Sequence, residues 1–204
     1  MTFDNTALRG EPIDLPKLAG GHIRWGNVRS DGATTKVAHV RAMGGLSPRD
    51  GDSLLKSVSI LIPHNNGTSA RLAVYAGGSL NEGPHASSPA RLLFDFGQTP
   101  KGQSGWLTLE HPTGVRLPAH APIWLAWKGF ASGSDASVMY FEEPAGEDDF
   151  QSTRGRWDGK AISMNPDKPW PLAWPKNDGG SFDDARYCCF LTLEPLTSSS
   201  AGGR

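Results

Sequence analysis

Cysteine is nearly missing from this chain: there are two, Cys188 and Cys189, side by side in the apolar run YCCFLTL. Neighbouring residues on a strand point to opposite faces, so a bond between these sulfurs has poor geometry. The pair is expected as buried free thiols rather than as a disulfide or a redox couple. Net charge is missing too. A formal charge of −1 leaves no basic stripe, which excludes nucleic acid as a partner. No stretch approaches the about 18 consecutive apolar residues of a membrane-spanning helix, so no membrane span is expected. The opening residues, MTFDNTALRGEPIDLP, have neither the basic start nor the apolar centre of a secretory signal. The protein is therefore expected to stay where it is made, or to leave by lysis or within a particle.

Apolar residues are scarce as well, at 37%, but they are bunched into short alternating runs with 25 glycines and 16 prolines between them. That distribution argues for many short strands and long ordered loops rather than disorder. A chain of 204 residues fits one large β domain.

The stretch 104–129, SGWLTLEHPTGVRLPAHAPIWLAWKG, states the pattern most plainly. Trp106, Thr108 and Glu110 alternate with Leu107, Leu109 and His111; Ile123, Leu125 and Trp127 alternate with Trp124, Ala126 and Lys128. Between them Val115, Leu117 and Ala119 repeat the alternation, while Pro112, Gly114, Pro118 and Pro122 mark where pairing stops or moves to an edge. Further strands are expected over 22–28, 34–43, 53–63, 69–76, 90–96, 136–141 and 187–193. In the strand at 34–43, Val37, His39 and Arg41 share a face. In that at 53–63, Val58, Ile60 and Ile62 oppose Ser57 and Ser59. In that at 69–76, Leu72 and Val74 oppose Arg71, Ala73 and Tyr75. Asn65-Asn66-Gly67 reads as a hairpin turn, although Asn66-Gly67-Thr68 is formally a glycosylation sequon.

Residues 1–20 read as an N-terminal arm that packs on its own sandwich or on a neighbour, and 196–204 as a flexible tail. Residues 21–195 then form a single domain, interrupted by a long Trp- and Pro-rich loop at 150–186 in which periodicity is lost. With about ten short strands and connections too short for parallel crossovers, the predicted fold is all-β: an antiparallel two-sheet β-sandwich of jelly-roll type.

Taken in order, ARLAVYAGG, ARLLFDFG, SGWLTLE, GVRLPAHAPIWLAW and ASVMYF resemble the recurring core of jelly-roll β-sandwich modules found beside carbohydrate-active domains, in adhesins, and in bacteriophage tail or virion proteins. The matching positions are Tyr75, Gly105 with Trp106, and 117–126, and the resemblance spans roughly residues 53–142. It implies a non-catalytic binding or structural module and carries no ligand site across.

Catalytic patterns are sparse. Glycoside cleavage needs two carboxylates facing one groove, but Glu142 and Glu143 are neighbours and Glu147, Asp148 and Asp149 crowd one loop. The Gly-x-Ser-x-Gly frame is absent, and six histidines are scattered without metal-ligand spacing, so no metal site is expected from them. The one cofactor left open is a structural calcium, with Asp50-Gly51-Asp52 or Glu147-Asp148-Asp149 as oxygen donors.

Tryptophan is the informative residue, with seven in the chain. At least one of Trp124 and Trp127, three positions apart, must face outward or toward a second sheet. In the long loop, Trp157, Trp170 and Trp174, with Arg154, Arg156 and Asp158 beside them, are the candidate ligand-binding residues, because sugar rings stack on exposed aromatic faces flanked by polar groups. Anchoring that loop to the sandwich is the alternative use of the same rings. The function expected is a non-enzymatic module for a glycan or another surface ligand, within a homo-oligomer or larger assembly. The alternatives are a purely structural virion, tail or filament subunit and, last, a sandwich glycosidase or lyase.

Overall fold

The period of two seen in the sequence is what the chain obeys. The computed structural model describes residues 14–28, 33–36, 40–80, 88–129, 137–142, 151–154, 162–175, 181–183 and 185–196. Among the described residues there are strands and no helix, and therefore no helix long and apolar enough to cross a membrane.

The strands are β1 (Ile23–Gly26), β2 (Ala33–Lys36), β3 (Val40–Leu46), β4 (Ser53–Ile62), β5 (Ala70–Ser79), β6 (Ser88–Gln98), β7 (Gly105–Leu117), β8 (Pro122–Gly129), β9 (Ser137–Glu142), β10 (Gln151–Arg154), β11 (Ser181–Asp183), β12 (Ala185–Tyr187) and β13 (Cys189–Pro195). Every pairing is antiparallel. One sheet has the order β1-β13-β4-β7, a second β11-β10-β3-β8-β5-β6, and a small third β12-β9-β2.

The first two sheets form a β-sandwich. Leu55, Val58, Ile60, Leu191 and Leu193 of the four-stranded sheet share one core with Met43, Leu72, Val74, Leu125 and Trp127 of the six-stranded sheet, all fully buried. Each such side chain contributes about 1.5–3 kcal/mol by leaving water. Val138 of β9 and Tyr187 of β12 join that core, Tyr187 edge-on to Trp127 at 4.6 Å. Cys189 lies in it too, while Cys188 turns to the other side of the sheet beside Leu61; both are buried, free thiols. Burial raises the Cys189 thiol well above its ordinary pKa.

The alternation along β8 serves two layers. Ile123, Leu125 and Trp127 enter the sandwich core, while Trp124 and Ala126 enter a second apolar cluster on the opposite face of the six-stranded sheet. Gly44 of β3 lies directly under the Trp124 indole, and a Cβ there would overlap the ring.

Local details differ from the sequence expectation in four places. The run 34–43 is not one strand: β2 and β3 belong to different sheets. β7 is continuous, but opposite Lys56 the register jumps from Leu55↔Val115 to Ser57↔Glu110, so residues 111–114 bulge out of the ladder. His111 closes that bulge, its Nδ1 accepting the backbone N–H of Gly114 at 2.8 Å. Asn65-Asn66-Gly67 is not a hairpin turn, because β4 and β5 lie in opposite sheets and the turn carries the chain between layers. Finally, parts of the segment read as loop are strand: β10 pairs with β3, and β11 with β10. Strands of three or four residues are too short to show a period; their partners make them.

Candidate functional site

Two pieces of the long segment beyond β9 determine what the sandwich presents. Residues 162–175 run as a strap across the outer face of the six-stranded sheet. Ile162, Trp170 and Trp174 are buried there against Val40, Ala42, Ala73, Tyr75, Trp124 and Ala126. Trp170 and Trp174 stack at 6.1 Å, and Tyr75 meets both edge-on, at 6.0 and 5.3 Å. At the sheet edge the strap pairs with β6 through Leu92 N–H to the Leu172 carbonyl and Trp174 N–H to the Ala90 carbonyl, each 2.8 Å.

Three side-chain donors of the sheet beneath the strap are satisfied by its backbone. Proline-rich chain offers carbonyls without N–H groups, and the sheet supplies donors to match. Arg71 Nη1 donates to the Pro166 carbonyl, Lys128 Nζ to Pro169 and the Tyr75 hydroxyl to Pro171. Asp95 collects Arg71 Nε, Gly97 N–H and Trp170 N–H. Lys128 is fully buried, its ammonium 4.8 Å from the Trp170 ring. Burial, helped by the charge of Arg71 and opposed by Asp95, lowers its pKa to about 8. Burial, with Asp95, raises Tyr75 well above the usual phenol value. These groups anchor the strap to the sheet.

At one end of the sandwich the strap meets two loops around an open cleft of about 680 Å3. The β4–β5 connection gives Asn66 and Ser69, the β6–β7 connection Lys101, the end of β6 Gln98, and the strap Asn165 and Asp167. Buried Asn65 fixes the geometry: its Nδ2 donates to the carbonyls of Thr68 and Gln103, at 3.1 and 2.8 Å, and its Oδ1 accepts the Thr68 N–H. The two connections are thereby tied together, with Gly102 N–H on the Thr68 carbonyl. Gln98 bridges the walls, accepting from Ser69 Oγ at 2.7 Å and donating to Asp167 Oδ1 at 2.9 Å. Asn165 Oδ1 accepts the Asp167 N–H.

Elsewhere, residues 16–19 of the arm wall a groove on the outer face of the four-stranded sheet, over Ser57 and Thr108, and Arg24 donates to the Pro16 carbonyl. This part of the arm lies on its own sandwich. Among the described residues no three His, Cys, Asp or Glu side chains converge as a metal site requires. Of the calcium candidates, Asp52 accepts Ala119 N–H at 3.0 Å and Arg116 Nε at 2.7 Å, contacts that hold its carboxyl below the usual range; 147–149 lie outside the described residues.

The candidate ligand residues divide accordingly. Trp170 and Trp174 come together, but inside the protein, 3% and 6% exposed, so neither offers a bare face for a sugar. Arg154 is in β10, its backbone paired with Arg41 and Ser181. Arg156, Trp157 and Asp158 fall outside the described residues. Not named as candidate site residues from the sequence were Lys128, Arg71, Asp95 and Tyr75 under the strap, and Asn66, Gln98, Lys101 and Asp167 around the cleft. For the first group a signal existed: Arg71 and Tyr75 alternate onto one face of a strand, as Trp124 and Lys128 do. For the cleft there was none, since isolated polar loop residues carry no pattern. Comparison with protein-family models, curated proteins and solved structures found no match to this chain.

Proposed function

We propose that the chain is a non-catalytic jelly-roll module that binds a glycan or a comparable surface ligand and is carried on a larger particle or filament. The strand order supports the jelly-roll part. Eight strands pair in nested fashion, β1 with β13, β3 with β8, β4 with β7 and β5 with β6, as an extended hairpin does when rolled into two sheets. Fold alone does not fix function, so the binding part rests on a site. The observation that carries it is the cleft at the end of the sandwich: an open, polar hollow whose walls are cross-braced by Asn65 and Gln98 before any ligand arrives.

A glycan array probed with the whole chain tests this reading, alongside the variants Lys101→Ala and Trp174→Ala. Selective binding that Lys101→Ala weakens supports it; an array blank for the intact, folded chain overturns it. A purely structural subunit is the second reading, and it draws on Leu172, 81% exposed at the crown of the strap. Light scattering separates the two. An oligomer that Leu172→Ser dissolves, in a protein that binds no glycan, favours the subunit.

A further inference from the structure

Among the cleft-wall groups with no partner in the protein among the described residues, three come from three different segments. They are the carboxamide of Asn66, the ammonium of Lys101 and the second carboxylate oxygen, Oδ2, of Asp167. The other polar side chains are committed wholly or in part, Asn165 Nδ2 and the second Gln98 N–H staying free to donate. Gln98 spends its carbonyl on Ser69 and one N–H on Asp167, Asn165 holds the Asp167 backbone, and Asn65 is buried with its amide satisfied. A single carboxylate oxygen accepts only, an ammonium donates only, and a carboxamide does both.

The net charge of this set is zero, since Lys101 offsets Asp167. An inorganic anion would meet the carboxylate, and a divalent cation would meet the ammonium and one carboxylate. A ligand that donates and accepts from neighbouring atoms and carries no net charge suits the set, and vicinal hydroxyls on a ring have that chemistry. The hollow is within the range of small-ligand pockets, about 300–1,000 Å3.

We propose that this cleft is a subsite for a neutral, hydroxyl-bearing sugar residue, with Asp167 Oδ2 accepting, Lys101 donating and Asn66 doing both. This rests on the reading of the chain as a glycan-binding module and adds to it the place and the class of sugar. Recognition here is by hydrogen bonds, with no aromatic ring on the described wall. Such a site discriminates sharply against analogues lacking the hydroxyl, because its polar groups are then left unpaired.

The test uses the whole chain labelled with 15N and titrated with neutral methyl pyranosides and their disaccharides, and in parallel with methyl glucuronoside and inorganic phosphate. The expected result is that at least one neutral saccharide moves the amide signals of Asn66, Gln98, Lys101 and Asn165. Asp167→Asn and Lys101→Ala should each weaken that binding about tenfold, the loss expected for one hydrogen bond to a charged group. All three side chains stand at the surface, so unchanged thermal midpoints will show that the variants are folded. Saccharide-induced shifts confined to another face overturn the placement and leave glycan binding standing. Shifts at the cleft from phosphate or glucuronoside alone overturn the class of ligand. No shift anywhere from any saccharide, with a blank glycan array, removes the parent reading as well.

Discussion

Arg71 and Asp95 face each other across β5 and β6, Nε lying 2.9 Å from both carboxylate oxygens, with the side chains only 18% and 16% exposed. The pair belongs to the strap as much as to the sheet. Arg71 continues to the Pro166 carbonyl and Asp95 to the Trp170 N–H, so one ion pair fixes residues 95 and 75 positions away in sequence.

Removing one partner of a buried pair leaves the other uncompensated. Asp95→Ala is therefore expected to cost about 3 kcal/mol, and with it roughly 6–12 °C of Tm for a domain of this size. The near-ultraviolet circular dichroism of the stacked Trp170 and Trp174 should weaken in the same variant below its Tm. Replacing both partners by apolar residues, Arg71→Met with Asp95→Leu, should recover much of the stability but not the strap's position. A loss under about 0.5 kcal/mol for Asp95→Ala would show that the strap is held without the pair.

The anchoring rings can be graded. Tyr75→Phe removes only the hydroxyl on the Pro171 carbonyl, worth about 1 kcal/mol, whereas Trp174→Ala empties the slot beside Tyr75 between strap and sheet and is expected to cost about 3–5 kcal/mol. The exposed cleft variants Lys101→Ala and Asn66→Ala should stay within about 0.5 kcal/mol of the parent. Urea unfolding followed by tryptophan fluorescence gives the order. If Trp174→Ala proved as mild as Lys101→Ala, the ring would not be part of a packed layer.

Gly44 tests the contact between the sheet and this second layer. A methyl group at that position overlaps the six-membered ring of Trp124, whose Nε1 is fixed on the Gly77 carbonyl at 2.9 Å and cannot simply swing away. Gly44→Ala is expected to destabilise by about 1–3 kcal/mol, as overpacking does, although alanine normally stabilises an extended strand relative to glycine. Pairing it with Trp124→Leu should relieve most of the loss. A neutral or stabilising Gly44→Ala would show that the indole has room to move.

What was legible in the sequence is what depends on neighbours along the chain. The two faces of β8 could be read as they stand, because each apolar side chain at every second position needs a layer to enter, and Trp124 and Trp127 cannot enter the same one. The same alternation placed Arg71 and Tyr75 together, but a charged residue on an alternating strand reads as solvent-facing. What makes its burial tolerable is Asp95, 24 positions on, and a proline carbonyl 95 positions on. The turn at Asn65 misled for a related reason. An Asn-Gly pair closes a hairpin in either sheet, and only the bonds from Asn65 to Thr68 and Gln103 decide that the chain crosses layers instead. The cleft was illegible throughout, since it exists only where three such loops meet.

Lys128 gives the last prediction, and its sign runs against the usual one for a lysine with a partner. Burial lowers its pKa in the folded protein to about 8, from 10.5, because the charged form is disfavoured beneath the strap. Below pH 8 both folded and unfolded chains hold the proton and its cost is constant. Between about 8 and 10.5 the unfolded chain keeps a proton that the folded chain has released, so the Lys128 contribution to stability rises with pH, approaching about 1.4 kcal/mol per unit in mid-window. Two other groups act oppositely. The Cys189 thiol and the Tyr75 phenol are held protonated by burial, while the unfolded chain ionises them from about pH 9 and 10, so their contributions fall as pH rises. The comparison that isolates Lys128 is therefore the difference between the parent and Lys128→Met, in which those two groups cancel. Urea midpoints measured from pH 6 to 10.5 should show that difference level up to about pH 8 and then moving in favour of the parent chain. A difference that stayed level, or moved toward Lys128→Met, would mean that the ammonium is hydrated and that the strap does not seal the face it crosses.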